Sequence, residues 1–166
     1  VGSEVSNYFK KKKIQIDCFS SKKIILGNIN NKQKKTLKNL VKSNDIIINC
    51  VGENFNPKKM NENNYEFVKN LLNLIKKNKS KKYLVHLSSC AVYGKYFHFK
   101  DYEINKNTIP KPISKYALTK LKADMIIEKS KIKNLRFTII RPSQVLGSKM
   151  KALGFIHLKK IIQKRL

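Results

Sequence analysis

Arginine and acidic residues are scarce in this chain of 166 residues. Arg136, Arg141 and Arg165 are its arginines, and 10 acidic residues stand against 37 basic ones, which leaves a formal net charge of +27. Such a charge by itself suggests a nucleic-acid or anionic-membrane partner. Arginine, however, supplies the planar fork that reads guanine edges and clamps phosphates. Its scarcity, with lysines scattered along the chain, favours a solvated surface over a polyanion site, which stays the alternative.

Cysteine and long apolar runs are also scarce. Cys18, Cys50 and Cys90 are odd in number and widely spaced beside apolar runs, so we predict buried free thiols rather than a disulfide framework or a zinc knuckle. The histidines lack metal-ligand spacing, and His86 is predicted to pack in the core. No apolar stretch approaches the ~20 residues that span a bilayer, and no signal peptide opens the chain. We therefore expect no membrane partner and a cytoplasmic location.

What the chain does contain is an alternation of strand-like and helix-like stretches. With 41% hydrophobic residues it can bury the core of one domain. The almost continuously apolar strands are typical of a parallel sheet, and the alternation predicts a doubly wound α/β domain. In chain order, the predicted elements are strands at Ile14–Cys18 and Lys23–Leu26, a helix near Lys32–Lys42, a strand at Asp45–Cys50, a helix near Asn61–Asn78, a strand at Tyr83–Ser88, a helix at about Ser114–Ser130 and a strand at Arg136–Ile140.

Glycines follow the predicted strands. In an open parallel sheet, ligands bind outside the carboxyl ends of the strands, and glycine there lets the backbone approach a cofactor closely. The pattern predicts a cofactor crevice, although glycines that simply end strands are an alternative reading. The five glycines at or shortly after a predicted strand end are Gly2, Gly27, Gly52, Gly94 and Gly147.

Tyr116 and Lys120 are the strongest local signal for chemistry. A spacing of four on a helix places both side chains on one face, one turn apart. A neighbouring ammonium lowers the pKa of a tyrosine from its usual ~10, which makes it usable as a general acid or base. An exposed helix face that carries the pair by chance is the alternative. Ser88 and Ser89, at the end of the preceding strand, can place a hydroxyl beside the tyrosine.

Taken in order, these motifs resemble the extended short-chain dehydrogenase/reductases, specifically the NAD-dependent epimerase/dehydratase group that acts on nucleotide sugars. The resemblance covers nearly the whole chain. The segments that carry it are Gly27-Asn28-Ile29, Asn49-Cys50-Val51-Gly52, the run from Ser88 to Gly94, Tyr116-x-x-x-Lys120 and the run from Arg141 to Gly147.

The resemblance implies roles for individual residues. Ser89 would be the catalytic hydroxyl, with a strand-end hydrogen bond the expected role of its neighbour Ser88. Tyr116 would be the acid/base, and Lys120 would hold the nicotinamide ribose and tune the tyrosine. The implied cofactor is NAD or NADP. The cofactor-binding set is Gly2, Asn28, Ile29, Val51, Gly52, Asn64, Lys120, Pro142 and Ser143. Within it, Asn28 and Ile29 would lie near the adenine, Val51 and Gly52 against the cofactor backbone, and Pro142 and Ser143 near the nicotinamide.

The sequence leaves open the role of Asn64 and the choice between NAD and NADP. Asn64 reads equally well as a polar residue at a helix start. No acidic residue ends the second strand, where one would select NAD through the ribose hydroxyls, so NAD and NADP are both retained. Cys90 and Ala91 stand where a dehydratase often carries an acidic pair, which favours an epimerase or a ketoreductase.

The resemblance also implies a domain organisation. Residues 1–148 would form a Rossmann-type doubly wound parallel sheet that lacks its first strand, because Val1-Gly2 matches the end of a T-G-x-x-G-F-hydrophobic-G motif. Residues 149–166 would be a helix leading into a missing substrate-binding domain. The expected partners are a nucleotide-sugar substrate, no nucleic acid, and a possible homodimer through the two long helices Asn61–Asn78 and Ser114–Ser130. A non-catalytic dinucleotide-binding or scaffold protein and a basic nucleic-acid-binding module are the rival interpretations.

Overall fold

A computed structural model describes residues 1–19, 31–98, 103–143 and 145 of the chain. Three parallel strands alternate with helices in this part, as the sequence predicts. The elements are α1 (Gly2–Lys11), α2 (Asn31–Ser43), β1 (Ile46–Asn49), α3 (Pro57–Asn61), a π turn (Glu62–Glu66), α4 (Phe67–Lys76), β2 (Lys82–Leu87), a 3₁₀ segment (Cys90–His98) with a kink at Tyr93, α5 (Lys115–Glu128) and β3 (Leu135–Ile140).

The sheet has the order β1-β2-β3, with β2 in the centre. In the parallel register, Asn49 of β1 is opposite His86 of β2, and His86 is opposite Ile139 of β3. The carboxyl ends of all three strands therefore meet at one edge. The core lies between the sheet and the helices α4 and α5; its fully buried members include Val68, Ile75, Leu84, Ala123 and Ile127.

The helix predicted near Asn61–Asn78 begins earlier and is interrupted. Asn56 has an extended backbone and its side chain accepts a hydrogen bond from the Lys58 amide, while Pro57 occupies the first turn. A capping amide followed by proline is a strong helix start, and this explains the earlier beginning at Pro57. The π turn at Glu62–Glu66 then joins α3 to α4. Such turns are frequent at functional sites.

The predicted strand at Ile14–Cys18 is wrong. Residues 14–19 have no regular secondary structure and pair with none of the described strands. Together with β1 they line a groove of about 420 Å³. Apolar side chains line this groove, among them Ile16, Ile47 and Phe67. Cys18 lies on this segment and is exposed, so the prediction of a buried thiol is wrong there. The predicted strand at Lys23–Leu26 lies outside the described residues.

The prediction of continuously buried strands is only partly correct. Leu84 of the central strand is fully buried, whereas its neighbour Tyr83 is 39% exposed and Ile46 on β1 is 64% exposed. Tyr83 and Ile46 are paired and lie on the face of the sheet opposite Leu84, and side chains on that face are incompletely covered. All three cysteines are free, and no helix among the described residues is long and apolar enough to cross a bilayer.

Candidate active site

Helix α5 carries an unusual buried face. Of its six buried residues, Thr119, Lys120 and Asp124 are polar or charged. Burial of charged groups is costly unless they are paired, so a cluster of this kind marks a candidate functional site. The helix begins where Ser114, in an extended conformation, accepts a hydrogen bond from the Ala117 amide at 3.1 Å.

Tyr116 and Ser89 contact each other at the carboxyl edge of the sheet. The Tyr116 phenol is half-buried, and an interaction with the Ser89 side chain acts to lower its pKa. Ser89 is positioned by the turn after β2, where its hydroxyl accepts a hydrogen bond from the Ala91 amide at 3.2 Å. The predicted serine and tyrosine are thus brought together.

The expected lowering of the Tyr116 pKa is wrong for this structure. Burial raises the pKa of Tyr116, and the interaction with the Ser89 side chain only partly offsets this effect. The Lys120 ammonium is directed elsewhere, since its Nζ donates to the Leu87 carbonyl oxygen at 2.8 Å. Desolvation of the phenolate is therefore the dominant effect on this pKa.

Lys120 is itself strongly buried, with 3% of its surface exposed. Burial lowers the pKa of Lys120 to about 8, an effect that the Asp124 carboxylate partly opposes. A Cβ atom on Gly52 would lie 3.2 Å from the Lys120 Nζ. Any larger residue at position 52 would therefore require the ammonium to shift. Gly52 and Lys120 thus form one close contact between the loop after β1 and α5.

Asn64 lies behind this contact, in the π turn. It is fully buried; its Oδ1 accepts from the Glu53 amide at 2.8 Å, and its Nδ2 donates to the Glu53 carbonyl and the Thr119 hydroxyl, both at 2.9 Å. Both amide protons are therefore used inside the protein. Asn64 supports the loop that carries Gly52, and it is not a helix-start residue because the helix begins at Pro57.

The segment after β3 reaches the same edge. The Cys90 amide donates to the Pro142 carbonyl at 3.0 Å, and the Cys90 thiol donates to the Ser143 carbonyl at 3.5 Å. These contacts place Pro142 and Ser143 beside the turn that carries Ser89. Burial raises the pKa of the Cys90 thiol, so this thiol is neutral near neutral pH.

Gly2 starts helix α1 against the end of β1. A Cβ atom on Gly2 would lie 3.4 Å from the Cβ of Cys50, immediately before Val51. The first amides of a helix are ready donors to an anion such as a pyrophosphate, and this helix begins beside the residue that follows β1. Asn28 and Ile29, the predicted adenine-side residues, lie outside the described residues.

The structure adds residues that the sequence reasoning missed. Asp124, Arg141 and Ser88 form a hydrogen-bonded group directly beneath the site, and burial raises the pKa of the Asp124 carboxyl despite two donors that lower it. The spacing of Asp124, four residues after Lys120, could have revealed it, because that spacing repeats the Tyr116–Lys120 step along one helix face.

The assembled site fits a dinucleotide better than a metal ion. Glycine at position 52, a buried ammonium and a helix N-terminus at one sheet edge suit the ribose and phosphates of a nucleotide cofactor. Among the residues that the structure describes, no group of histidine, cysteine and carboxylate side chains could hold a metal.

Comparisons with known proteins agree with this geometry. A model of the NAD dependent epimerase/dehydratase family matches residues 1–163. A search of curated proteins found no match. Among solved structures, the chain is similar to dTDP-4-dehydrorhamnose reductase from Yersinia enterocolitica, with a TM-score of 0.72 and 19% identity, over 98% of this chain and 55% of that one.

Two further solved structures carry dinucleotides. UDP-glucuronic acid 4-epimerase from Bacillus cereus in complex with NAD has a TM-score of 0.60 and 19% identity, over 76% of this chain and 42% of that one. RMD from Pseudomonas aeruginosa complexed with NADPH has a TM-score of 0.62 and 25% identity, over 71% of this chain and 42% of that one. The chain thus spans between 42% and 55% of the length of these three proteins.

Proposed function

Because this chain belongs to the NAD-dependent epimerase/dehydratase family, we propose that it is the cofactor-binding part of an enzyme that modifies nucleotide sugars, with Ser89, Tyr116 and Lys120 as catalytic residues. The observation that carries the proposal is the contact between the Tyr116 phenol and Ser89, one helical turn from a buried lysine. Solved proteins of similar fold include a reductase and an epimerase of nucleotide sugars, bound in one case to NAD.

The cofactor in this proposal is NAD or NADP. When bound in the crevice, this cofactor would supply hydride transfer to or from a sugar carbon. Lys120 would hold the nicotinamide ribose, and Val51 and Gly52 would line the cofactor backbone. The amides at Gly2 would face the pyrophosphate, and Pro142 and Ser143 would border the nicotinamide. Asn28 and Ile29 would lie on the adenine side, and Asn64, behind Gly52, belongs to the same proposed set.

Residues of this chain would carry out the proton transfer. With its pKa raised by burial, Tyr116 is protonated near neutral pH and can donate its proton to a substrate oxygen. The Ser89 hydroxyl would steady that oxygen by a hydrogen bond. Lys120, with a pKa of about 8, is mostly an ammonium at pH 7 and would stabilise the phenolate that forms.

Between reaction types, we propose an epimerase or a ketoreductase. Cys90 and Ala91 occupy the turn after Ser89, where neither side chain supplies the acid that an elimination of water needs. A nucleotide sugar is the proposed substrate, whereas a dimer through the two long helices and the absence of a nucleic-acid partner stay predictions.

The test is a pair of tyrosine-to-phenylalanine variants in the full-length protein. Tyr116→Phe removes the proton donor, and we expect a loss of about 10²- to 10⁴-fold in kcat with dinucleotide binding retained. Tyr83→Phe is the matched control, since its hydroxyl contacts Thr138 on β3, toward the amino end of the sheet. Turnover is followed by chromatography of the nucleotide sugars and by the absorbance of reduced nicotinamide.

The outcomes separate the hypotheses. Undiminished activity in Tyr116→Phe would falsify the catalytic assignment. A ketoreductase consumes reduced nicotinamide in step with product, whereas an epimerase interconverts sugars without net consumption. Tight dinucleotide binding without turnover of any nucleotide sugar would favour a non-catalytic dinucleotide-binding protein.

A further inference from the structure

A row of polar side chains crosses the sheet beneath the proposed active site. Asn49 ends β1, His86 lies opposite it on β2, Asp124 projects from α5, and Arg141 follows β3. Asn49 is 3% exposed, and His86 and Asp124 are fully buried. Polar groups at this depth are costly unless they are paired, so the arrangement calls for a functional or structural reason.

The first part of the row fixes the orientation of His86. The Asn49 Oδ1 accepts a hydrogen bond from the Val51 amide at 3.0 Å, so its Nδ2 is the atom that faces the His86 Nδ1, also at 3.0 Å. His86 Nδ1 must then accept, which places the proton of the neutral ring on Nε2. That nitrogen lies 3.7 Å from the Asp124 Oδ1, and neither atom has a hydrogen-bond partner among the described residues.

The second part of the row centres on one carboxylate oxygen. The Asp124 Oδ2 accepts from the Ser88 hydroxyl and from the Arg141 Nε, each at 2.9 Å. Arg141 also donates to the Tyr93 hydroxyl at 2.7 Å. Asp124 therefore joins α5 to the ends of both β2 and β3.

Each of these connections leads to a proposed catalytic or cofactor-binding residue. Ser88 precedes Ser89, Arg141 precedes Pro142, and Lys120 lies four residues before Asp124 on the same buried face of α5. A displacement of the Asp124 carboxylate would therefore move the serine, the lysine and the segment after β3 relative to one another.

We propose that Asp124 is the positioning residue of this site: it acts through Ser88 and Arg141 to hold Ser89 and the segment after β3 in place, and its carboxylate supplies a negative charge on the buried face of α5 that also carries Lys120. For its catalytic consequence the proposal rests on the proposed function. Its electrostatic consequence for Lys120 does not.

The charged groups around Asp124 determine which pKa values change when its carboxylate charge is lost. Lys120 and Glu128 face it from α5, His86 from β2, and Arg141 from the segment after β3. Burial holds His86 neutral, with a pKa of about 3. Asp124 raises the pKa of Lys120 against burial, so loss of its charge lowers that pKa further below its ordinary value.

The test compares two variants of the full chain with wild type. Asp124→Asn keeps the shape but loses the charge, and we expect the pKa of Lys120 to fall by about one unit and kcat by about tenfold or more. Ser88→Ala removes one connection but keeps the charge, so kcat should fall while the pKa of Lys120 stays the same. Asp45→Asn is the matched control, since Asp45 is exposed, precedes β1 at the opposite edge of the sheet and has Lys82, not Lys120, as its ion-pair partner.

Two readouts are needed. The first is the pH titration of the Lys120 Cε resonance in ¹³C-lysine-labelled protein without cofactor, assigned by its absence in Lys120→Met. The second is the pH profile of kcat, whose alkaline limb should move to lower pH in Asp124→Asn, because activity that needs the ammonium is lost as pH rises through its pKa. Circular dichroism verifies that each variant is folded.

The outcomes are distinct. If Lys120 titrates at the same pH in Asp124→Asn and in wild type, and the kcat profile is only scaled down, Asp124 is a structural residue and the proposal is overturned. If the Lys120 titration moves as expected but wild type turns over no nucleotide sugar, the electrostatic role of Asp124 is supported and the proposed function fails instead.

Discussion

The pKa of His86 depends strongly on its burial in the folded protein. It is fully buried, its Nδ1 faces Asn49, and burial lowers its pKa from 6.5 to about 3. In the unfolded chain the ring takes up a proton near pH 6.5, whereas the folded protein binds it only near pH 3. The stability contributed by neutral His86 is therefore complete above pH 6.5 and is lost as the pH falls toward 3.

We predict a change in the pH dependence of stability in His86→Gln. Glutamine has no proton to gain, so the wild type should lose about 1.4 kcal/mol per pH unit relative to the variant between about pH 6 and pH 4. Urea unfolding at several pH values measures this difference. The comparison cancels titrating groups that lie far from His86, and parallel curves for the two proteins would contradict the prediction.

At the residue scale, the sequence predicts a functional pair but not its protonation. The spacing of Tyr116 and Lys120 fixes that they share a helix face, because helical periodicity is local. Whether the phenol is acidic depends on burial and on where the ammonium points, and Lys120 is held by the Leu87 carbonyl. The pKa of Tyr116 is accordingly raised, against the expectation.

At the scale of elements, capping decides where the helices begin. The Ser114 hydroxyl accepts from the Ala117 amide at the start of α5, two residues before Tyr116. An N-cap hydroxyl satisfies an amide that otherwise has no partner within the helix. This cap therefore connects the stability of α5 to the geometry of the candidate site.

Ser114→Ala is predicted to lower the free energy of unfolding by about 1 kcal/mol. The measurement is chemical denaturation followed by circular dichroism. Ser130→Ala, just beyond the opposite end of the helix, is the matched control, because a hydroxyl there caps no N-terminus and its loss should change stability little. Equal effects of the two substitutions would show that the cap contributes nothing specific.

The predicted bounds of helices and strands agree with the structure where they depend on neighbouring residues in the sequence. The helix predicted at Lys32–Lys42 is confirmed at Asn31–Ser43, and the strand predicted at Tyr83–Ser88 is confirmed with a shift to Lys82–Leu87. Lys82 joins the strand because its buried Nζ donates to the Asn44 carbonyl at 2.7 Å. A lysine inside a sheet cannot be read from an apolar pattern, since the partner that allows its burial lies far away in sequence.

At the scale of the whole molecule, the dominant feature is the net charge of +27. Like charges on a compact surface repel one another and destabilise the folded state, and salt screens that repulsion. The scarcity of acidic residues leaves few attractive pairs to be weakened by the same screening.

We predict that the melting temperature rises as sodium chloride increases from about 20 mM to about 300 mM, over which the screening length falls severalfold. Differential scanning calorimetry measures this. A variant with glutamine at Lys10, Lys11, Lys12 and Lys13, which are all exposed, should respond less to salt because it carries less charge. A melting temperature that falls with salt would mean that attractive ion pairs outweigh repulsion.

The sequence is sufficient to predict the alternation of strands and helices, the helix face shared by Tyr116 and Lys120, and the family resemblance. These follow from local periodicity and from the order of motifs along the chain. The tertiary structure alone decided that residues 14–19 form no strand, that Tyr116 meets Ser89 while Lys120 turns to Leu87, and that Asp124 joins three elements. Those outcomes depend on burial and on partners distant in sequence, and burial is a property of the folded chain as a whole.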